Sequence, residues 1–433
     1  MTYDVLVAGG GPAGIVAALQ AARIGSRTLL IERSARLGGT TVNAGVNRPS
    51  EFGSWGRPLI RGIGWELVCR AIEEGGAHPA SELDSPIVDI DTYATLCDES
   101  LLDAGVDILL HTMPATATKT DSGWDVQLCS IDGLRTVRAK TIVDATGDAS
   151  VVGIAGFPRR RPTVPQPSTL SFRIDGYEFD DLDLEPINAS FRAAVAEGEL
   201  KGSDGYWFLD VRGRPDPVPS LTALLRSHGR GSSHVVAEGD AATAEGRTAL
   251  EIEARRSLSR LRRFLTRQPG LTHIEFRDVR QEVGVRETVT IVGQSTITGD
   301  DYETGRNWPD SLCHSAHPPD RHGIDAASWV LRGLGEGIAP EIPLSAMIPA
   351  NSSGIIVAGR SVSSDDLASS GLRGQASAMA MGQVAGVVTH LAVTLGVELD
   401  DVPLDTARDL LNRHGAIVPD GRGQDMYRRA VTA

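Results

Sequence analysis

Tyr3-Asp4-Val5-Leu6-Val7-Ala8-Gly9-Gly10-Gly11-Pro12-Ala13-Gly14 is the stretch on which the fold turns. Tyr3 to Ala8 is a short apolar run rich in β-branched residues, the pattern of a buried parallel strand. The turn that follows carries GxGxxG in Gly9, Gly11 and Gly14, with Pro12 and Ala13 opening an Ala-rich helix that runs to about Ile24. Gly9 makes the tight turn, Gly11 lets backbone approach a pyrophosphate, and Gly14 lets helix and strand pack closely. The helix N-terminus then offers free N–H groups and a positive dipole end to phosphates. Ala18, Ala22 and Gly25 continue a small-residue face, and a second strand, Thr28 to Ile31, ends in Glu32. A carboxylate eighteen residues past Gly14 can accept both hydroxyls of an adenosine ribose. Strand, glycine turn, helix, strand and acid together predict a dinucleotide-binding unit.

After Glu32 come Arg33 and Leu37-Gly38-Gly39-Thr40-Thr41. This Gly-Gly loop resembles the flavoprotein families of the glutathione-reductase-like superfamily, in which it runs under the flavin. The resemblance implies FAD rather than NAD as the dinucleotide. Gly38 to Val46 also resembles the redox loop of disulfide reductases, which places two cysteines there. Here the positions are Thr41 and Val46, neither of which forms a thiolate, so dithiol chemistry is excluded.

Two further returns to the same sheet are legible. A helix over Asp91 to Asp103, a strand over Asp107 to Leu110 and a meander (Ala115 to Thr118, Trp124 to Cys129) precede Ala139 to Asp148, an apolar strand ending in Ala145-Thr146-Gly147-Asp148. Near the C-terminus, Gly354 to Arg360 reads as strand and turn, with Gly359 and Arg360 at its tip. Ser369-Ser370-Gly371-Leu372-Arg373-Gly374 then leads into a small-residue helix from about Gln375 to Leu395.

These segments, with Gly62 to Glu66, Arg286 to Gly293, Asp310-Ser311, Ile342-Pro343-Leu344 and Met379 to Gly386, resemble the bacterial FAD-dependent oxidoreductase family related to heterodisulfide and fumarate reductase flavoproteins. The resemblance implies FAD extended across a Rossmann-like domain and a cap over the isoalloxazine. It implies a cofactor site of Gly9, Gly11, Pro12, Ala13, Gly14, Glu32, Arg33, Gly38, Gly39, Thr40, Thr41, Ala115, Ala145, Thr146, Gly147, Asp148, Gly359, Arg360, Gly371, Leu372 and Arg373. In such proteins the long helix aims its N-terminus at the flavin, where its dipole stabilises the anionic reduced form. The Arg and His constellation that binds dicarboxylates in fumarate reductases does not map onto this chain.

The expected fold class is α/β, a discontinuous Rossmann-like FAD-binding domain with a mixed α+β substrate or cap domain. The first comprises residues 1–50, 90–158 and 345–400; residues 51–89 are a helical insertion, 160–344 the cap and 401–433 a C-terminal tail. With 433 residues, two domains are expected. The boundary falls at Phe157-Pro158-Arg159-Arg160-Arg161-Pro162. Phe52, Trp55 and Trp65 are expected over the flavin; Phe172, Tyr177, Tyr206, Trp207 and Phe208 are expected to floor the substrate cavity. A helix from Thr243 to Arg267 carries a leucine stripe and an arginine face (Arg255, Arg256, Arg260, Arg262, Arg263, Arg267), solvated or docking an acidic partner.

His314, His317 and His322 gather with Asp320 in a Pro-broken loop and supply the general-base candidates, His314 and His317 first. Arg286 anchors a substrate carboxylate or pairs with Glu287, and Asn43, Asn47 and Arg48 reach towards the flavin edge. His314-x-x-His317 is not metal-site spacing, and no metal is expected. Gly333-Leu334-Gly335 follows a helix-like Ala326 to Arg332, the wrong context for a second nucleotide. Electrons therefore pass to or from a diffusing partner: oxygen, a quinone or NAD(P)H.

The expected reaction is dehydrogenase or oxidase chemistry on a small organic substrate, with hydride passing to flavin N5. A monooxygenase using NAD(P)H and oxygen, or an electron-transfer subunit, are the alternatives. A net charge of −14 disfavours nucleic acid and anionic membranes as partners. Cys69, Cys97, Cys129 and Cys313 lack CxxC spacing and read as free thiols. With no leader before the first strand and no apolar run approaching membrane length, the expected location is the cytoplasm, and a homo-oligomer is compatible with all of this.

Overall fold

The computed structural model describes residues 2–77, 86–205, 220–226, 233–323 and 330–419. Strand β1 (Thr2–Ala8) leads through its glycine turn into helix α1 (Pro12–Arg23) and strand β2 (Thr28–Ile31). β1 pairs in parallel with β2 on one side and with Gly133–Asp144 on the other, and Asp107–Leu109 extends the sheet beyond β2. Ile355–Val357 joins in parallel along Ile142 to Asp144. Three separated parts of the chain thus end side by side at one edge.

Gly133–Asp144 shows why its two halves behave differently. Gly133 to Thr136 are exposed and Val137 to Lys140 alternate buried and exposed, and up to Ala139 the strand pairs antiparallel with Gly123–Ser130 in a meander that also contains Met113–Thr120. Its last four residues, Thr141 to Asp144, are all buried, as a strand covered on both faces by helices must be.

One covering layer is α1 against the helix Gln375–Leu395. A Cβ on Gly382 would sit 2.2 Å from the Ala13 carbonyl oxygen, and one on Gly386 would sit 2.6 Å from that of Ala17. Only glycine permits this approach. The long helix is in fact apolar and long enough to cross a membrane, contrary to the sequence expectation, but 78% of its most apolar window is buried inside the protein. Met379, Met381, Val384, Val387, Val388 and Leu391 carry much of that apolarity, and all are buried in the main core.

A second hydrophobic core lies apart. The three-stranded antiparallel sheet Ser233–Ala237, Ser168–Asp175, Glu275–Arg277 carries helices Leu184–Ala196 and Ala244–Leu265, with Leu170, Phe172, Ile174, Phe191, Leu250, Leu261 and Phe264 between them. The expected leucine stripe of the second helix is buried here. Arg260 departs from the expected solvated face, lying 2.8 Å from the buried Asp204 and 2.9 Å from Glu253.

Several aromatic expectations are corrected. Phe52 and Trp65 pack edge to face in the main core with centroids 5.0 Å apart, and Trp55 packs against that core. Phe172 and Tyr177 fill the second core rather than flooring a cavity, and Tyr206, Trp207 and Phe208 lie outside the described residues. Within the stretch expected to be helical before Gly333, Val330–Leu331 is a strand paired with Asp320–Arg321, and 324–329 lie outside the described residues. Beyond residue 400, helix Leu404–Arg413 buries Ala407 and Leu411 in the main core.

Gly382→Ala tests the helix seam. The added methyl must push the two helices apart, an overpacking cost of about 1–3 kcal/mol. The expected outcome is a lower denaturant midpoint with unchanged slope in urea unfolding.

Candidate active site

The ends of β1, Gly133–Asp144 and Ile355–Val357 open onto a cleft of about 360 Å³. Of the residues expected around the cofactor, Gly9, Gly11, Pro12, Ala13, Glu32, Arg33, Gly39, Thr40, Ala145, Thr146, Gly147, Asp148, Gly359, Arg360 and Arg373 line it. Gly14, Gly38 and Thr41 stand just behind. A Cβ on Gly14 would meet the Gly9 carbonyl oxygen at 1.8 Å, so this glycine sets the helix against the strand. Thr41 is buried and its hydroxyl donates to Oε1 of Gln375, 2.6 Å away, tying the Gly-Gly loop to the long helix.

The remaining expected residues do not reach the lining. Ala115 lies within Met113–Thr120, Gly371 packs against Tyr302, and Leu372 is buried in the core. Asn47 donates to the Val88 carbonyl at 2.9 Å and serves the loop's backbone instead. His314 ends the strand Ser311–His314, wholly buried and outside the cleft lining. The strand rather than a loop is the reason: pairing with Glu341–Pro343 turns the side chain inward. Of the three histidines only His317 and His322 line the cleft, together with Asp320, Arg286 and Arg373.

The chemistry of the lining fits a dinucleotide. A Cβ on Gly11 would find nothing nearer than Gly39 Cα at 3.9 Å, leaving bare backbone facing the cleft. α1 begins at Gly11 and the long helix at Gly374, and neither N-cap has a side-chain hydrogen bond. Two helix N-termini therefore present donors to one cleft. Glu32 accepts from the Gly10 N–H at 2.6 Å and from the Ser34 N–H and hydroxyl at 2.8 and 2.6 Å. That fixes the carboxylate at one end of the cleft.

A buried ionic knot closes the middle of the cleft. Arg360 donates through Nη2 to Asp148 at 2.5 Å, through Nε to the Gly147 carbonyl and through Nη1 to the Val285 carbonyl, both at 2.6 Å. Arg247 reaches Asp148 at 3.2 Å and the Thr288 hydroxyl donates to it at 3.0 Å. Burial would raise the Asp148 carboxyl, but Arg360 and Arg247 outweigh it and hold the group below the usual carboxylate range. Asp144, beneath, caps the turn by accepting from Thr146 and Val152.

Beyond this knot the cap-side end is positively charged. Arg286 donates to the Pro167 carbonyl and Arg373 to the Asp320 carbonyl, each at 2.6 Å. Burial first, and repulsion from Arg373 second, lower the Arg286 guanidinium to about 9; burial likewise lowers that of Arg373, against the pull of Asp320 and Glu287 and with a smaller push from Arg360. His317 is pushed down by burial and by Arg373; His322 is pushed down to about 3 by burial and by Arg286, although its Nε2 lies 2.8 Å from Asp320. Both imidazoles are therefore neutral at pH 7, and the His322–Asp320 contact is a neutral-donor hydrogen bond rather than an ion pair. The Glu287 carboxylate accepts from the Gln166 N–H at 2.7 Å and side-chain amide at 2.9 Å, and lies 3.9 Å from Arg321.

Sequence reasoning missed Arg247, Glu282 to Val285, Thr169 and Gln375, all of which line the cleft. Most of these come from the second core's elements, and no local motif marks them. Gln375 was legible as the first residue of the long helix.

Comparison with known proteins agrees with this geometry. The FAD dependent oxidoreductase family profile matches residues 4–411. The mitochondrial dihydrolipoyl dehydrogenase of Schizosaccharomyces pombe is 29% identical over 153 residues, 34% of this chain and 28% of that protein. Digeranylgeranylglycerophospholipid reductase 2 of Methanothermobacter thermautotrophicus is 29% identical over 208 residues, 44% of this chain and 50% of that protein. The chain thus spans half or less of these curated relatives. Among solved structures, a geranylgeranyl bacteriochlorophyll reductase-like protein of Thermoplasma acidophilum has a TM-score of 0.45 at 17% identity, over 95% of this chain and 83% of that one. An anhydrotetracycline hydroxylase of Streptomyces rimosus has 0.44 at 14%, over 100% and 72%. Because the family profile spans nearly the whole sequence, the chain belongs to the FAD dependent oxidoreductase family.

Glu32→Ala strips the acceptor from the Gly10 and Ser34 N–H groups, a cost of about 1–3 kcal/mol. The variant is expected to purify with a markedly lower flavin-to-protein absorbance ratio and to rebind added FAD more weakly in a fluorescence titration.

Proposed function

We propose that this FAD dependent oxidoreductase oxidises a small organic substrate bearing a carboxylate, as a dehydrogenase or oxidase, at the cap-side end of its cleft. The observation that carries the reading is the meeting of Arg286, Arg373 and the neutral His317 in the lining that also holds the two helix N-termini. Bound FAD supplies the two-electron acceptor. Gly9, Gly11, Glu32, Gly39 and the Ala145 to Asp148 turn would hold it, together with the N-terminus of the long helix.

The chain's own part is binding and proton handling. Arg286 and Arg373 fix the carboxylate and so orient the bond to be oxidised. His317 places Nδ1 2.7 Å from the Pro318 carbonyl, which only accepts. Nδ1 therefore carries the hydrogen and Nε2 the lone pair, ready to take the proton from a substrate N–H or O–H. The electrons then leave to a diffusing acceptor, for which we propose oxygen or a quinone; NAD(P)H would instead serve as a diffusing donor. We also propose the division into a discontinuous nucleotide domain and a cap, and kinship with heterodisulfide and fumarate reductase flavoproteins at the level of the fold.

Anaerobic titration of the yellow protein with amino and hydroxy acids tests this reading: one of them should bleach the flavin without added nicotinamide. Oxygen-dependent hydroxylation that requires NAD(P)H, with no anaerobic bleaching by substrate, would overturn it. His317→Gln should slow the bleaching by roughly 10²–10⁴-fold, and Arg373→Leu should chiefly raise the concentration required. Because the His317 pKa is depressed, its base form persists through neutral pH. The rate should hold steady there and fall only as pH drops through a value below the ordinary 6.5.

A further inference from the structure

A second cleft, of about 600 Å³, opens beside the first. One wall is the turn and short strand around Phe157, Arg159 and Arg161; the other is Ala241 to Ala244 and Arg247, at the start of the helix Ala244–Leu265. Met113 and Val289 also face it. Arg33, Asp148 and Arg247 line both clefts, so the two share a wall along the adenosine half of the nucleotide site.

The lining holds four arginines, Arg33, Arg159, Arg161 and Arg247, against one acid, Asp148, in a chain whose net charge is −14. Glu282 and Asp240 balance Arg33 and Arg161 from outside the lining, each through one guanidinium nitrogen, at 2.5 and 2.6 Å. Arg247 is engaged through Nε and Nη2 with Asp148 and the Ala241 carbonyl. Arg159 meets only carbonyls among the described residues, those of Asp148 and Ala149 at 3.4 and 3.5 Å. Each guanidinium has five N–H donors in a planar fork, so donors remain on all four.

Local structure builds this arrangement. Arg159–Arg160 pairs with Thr290–Ile291, and a strand sends alternate side chains to opposite faces. Arg159 and Arg161 turn into the cleft, whereas Arg160 pairs with Asp366 behind it at 3.3 Å. A Cβ on Gly153 would lie 2.4 Å from Arg159 Cζ, so that glycine is what lets the guanidinium lie flat on the helix turn Ser150–Ile154. Between the arginines, Phe157, Met113, Val289, Ala241 and Ala242 give an apolar surface suited to a ring.

We propose that this cleft binds a nucleoside phosphate, separate from and simultaneous with FAD, with its phosphates on Arg159 and Arg161 and its base against Phe157. The shared chemistry is a di- or polyphosphate joined to a flat ring, whether from a nicotinamide dinucleotide or from a free adenine nucleotide. The inference does not rest on the substrate reading above, because it concerns binding alone.

The test is calorimetric titration of the FAD-saturated protein with NADPH, NADH, ADP and inorganic pyrophosphate, with flavin release followed by absorbance. At least one nucleotide should bind saturably, more tightly than pyrophosphate, without releasing flavin and more weakly at higher salt. Binding by NADPH or NADH but not ADP assigns the dinucleotide; binding by ADP as well assigns the adenine nucleotide portion. Arg161→Gln, a change at an exposed side chain, should weaken binding about tenfold, and Arg159→Gln at least as much, each at unchanged FAD content. Absence of nucleotide binding at millimolar concentration, displacement of FAD by the nucleotide, equal binding of pyrophosphate, or indifference to Arg161→Gln would each overturn the proposal. Should Arg159→Gln lose its flavin, Arg161→Gln alone decides.

Discussion

Two distant parts of the chain meet nearly backbone to backbone at the seam where α1 crosses the helix Gln375–Leu395. The Ala13 and Ala17 carbonyls lie where side chains at residues 382 and 386 would stand. Because these helices touch through backbone, their N-termini are brought to the same edge of the sheet, one at Gly11 and the other at Gly374. The cleft exists because of that convergence. A wider crossing would separate the phosphate-binding turn from Arg373 and Gln375, and Thr41 would lose its hydrogen bond to Gln375.

Electrostatics along the cleft follow from what each segment brings to it. At one end, Glu32 is held in place by the Gly10 and Ser34 backbone donors. In the middle, Asp148 is neutralised by Arg360 and Arg247, one from the last return of the chain to the sheet and one from the second core. At the far end, Arg286 and Arg373 carry positive charge that Asp320 offsets only in part, and burial, reinforced by that field, keeps His317 and His322 neutral. Fixed negative, compensated, then positive is the charge gradient that runs along the cleft.

The nucleotide half was legible because its signals are local. The glycine turn, the strand lengths around it and Glu32 are short-range constraints, and β2 occupies Thr28–Ile31 as its apolar run implies. The histidine group was legible as composition but not as geometry. Nothing in His314-Ser315-Ala316-His317 says that the first ring is wrapped into a strand while the second faces the cleft. Phe52 and Trp65 misled in the same way, since an aromatic side chain looks alike whether it covers a ligand or fills a core.

By itself the sequence determined the strand, glycine turn and helix that open the chain and pointed to FAD as the cofactor, because residue types at fixed spacing suffice for both. Only the tertiary structure decided which charged groups share that cleft. Arg247, Glu282 and Arg286 belong to elements more than two hundred residues from Gly9, and their meeting depends on how the second core packs against the sheet. Long-range packing is set by shape and burial over many residues, and no short stretch of sequence carries it.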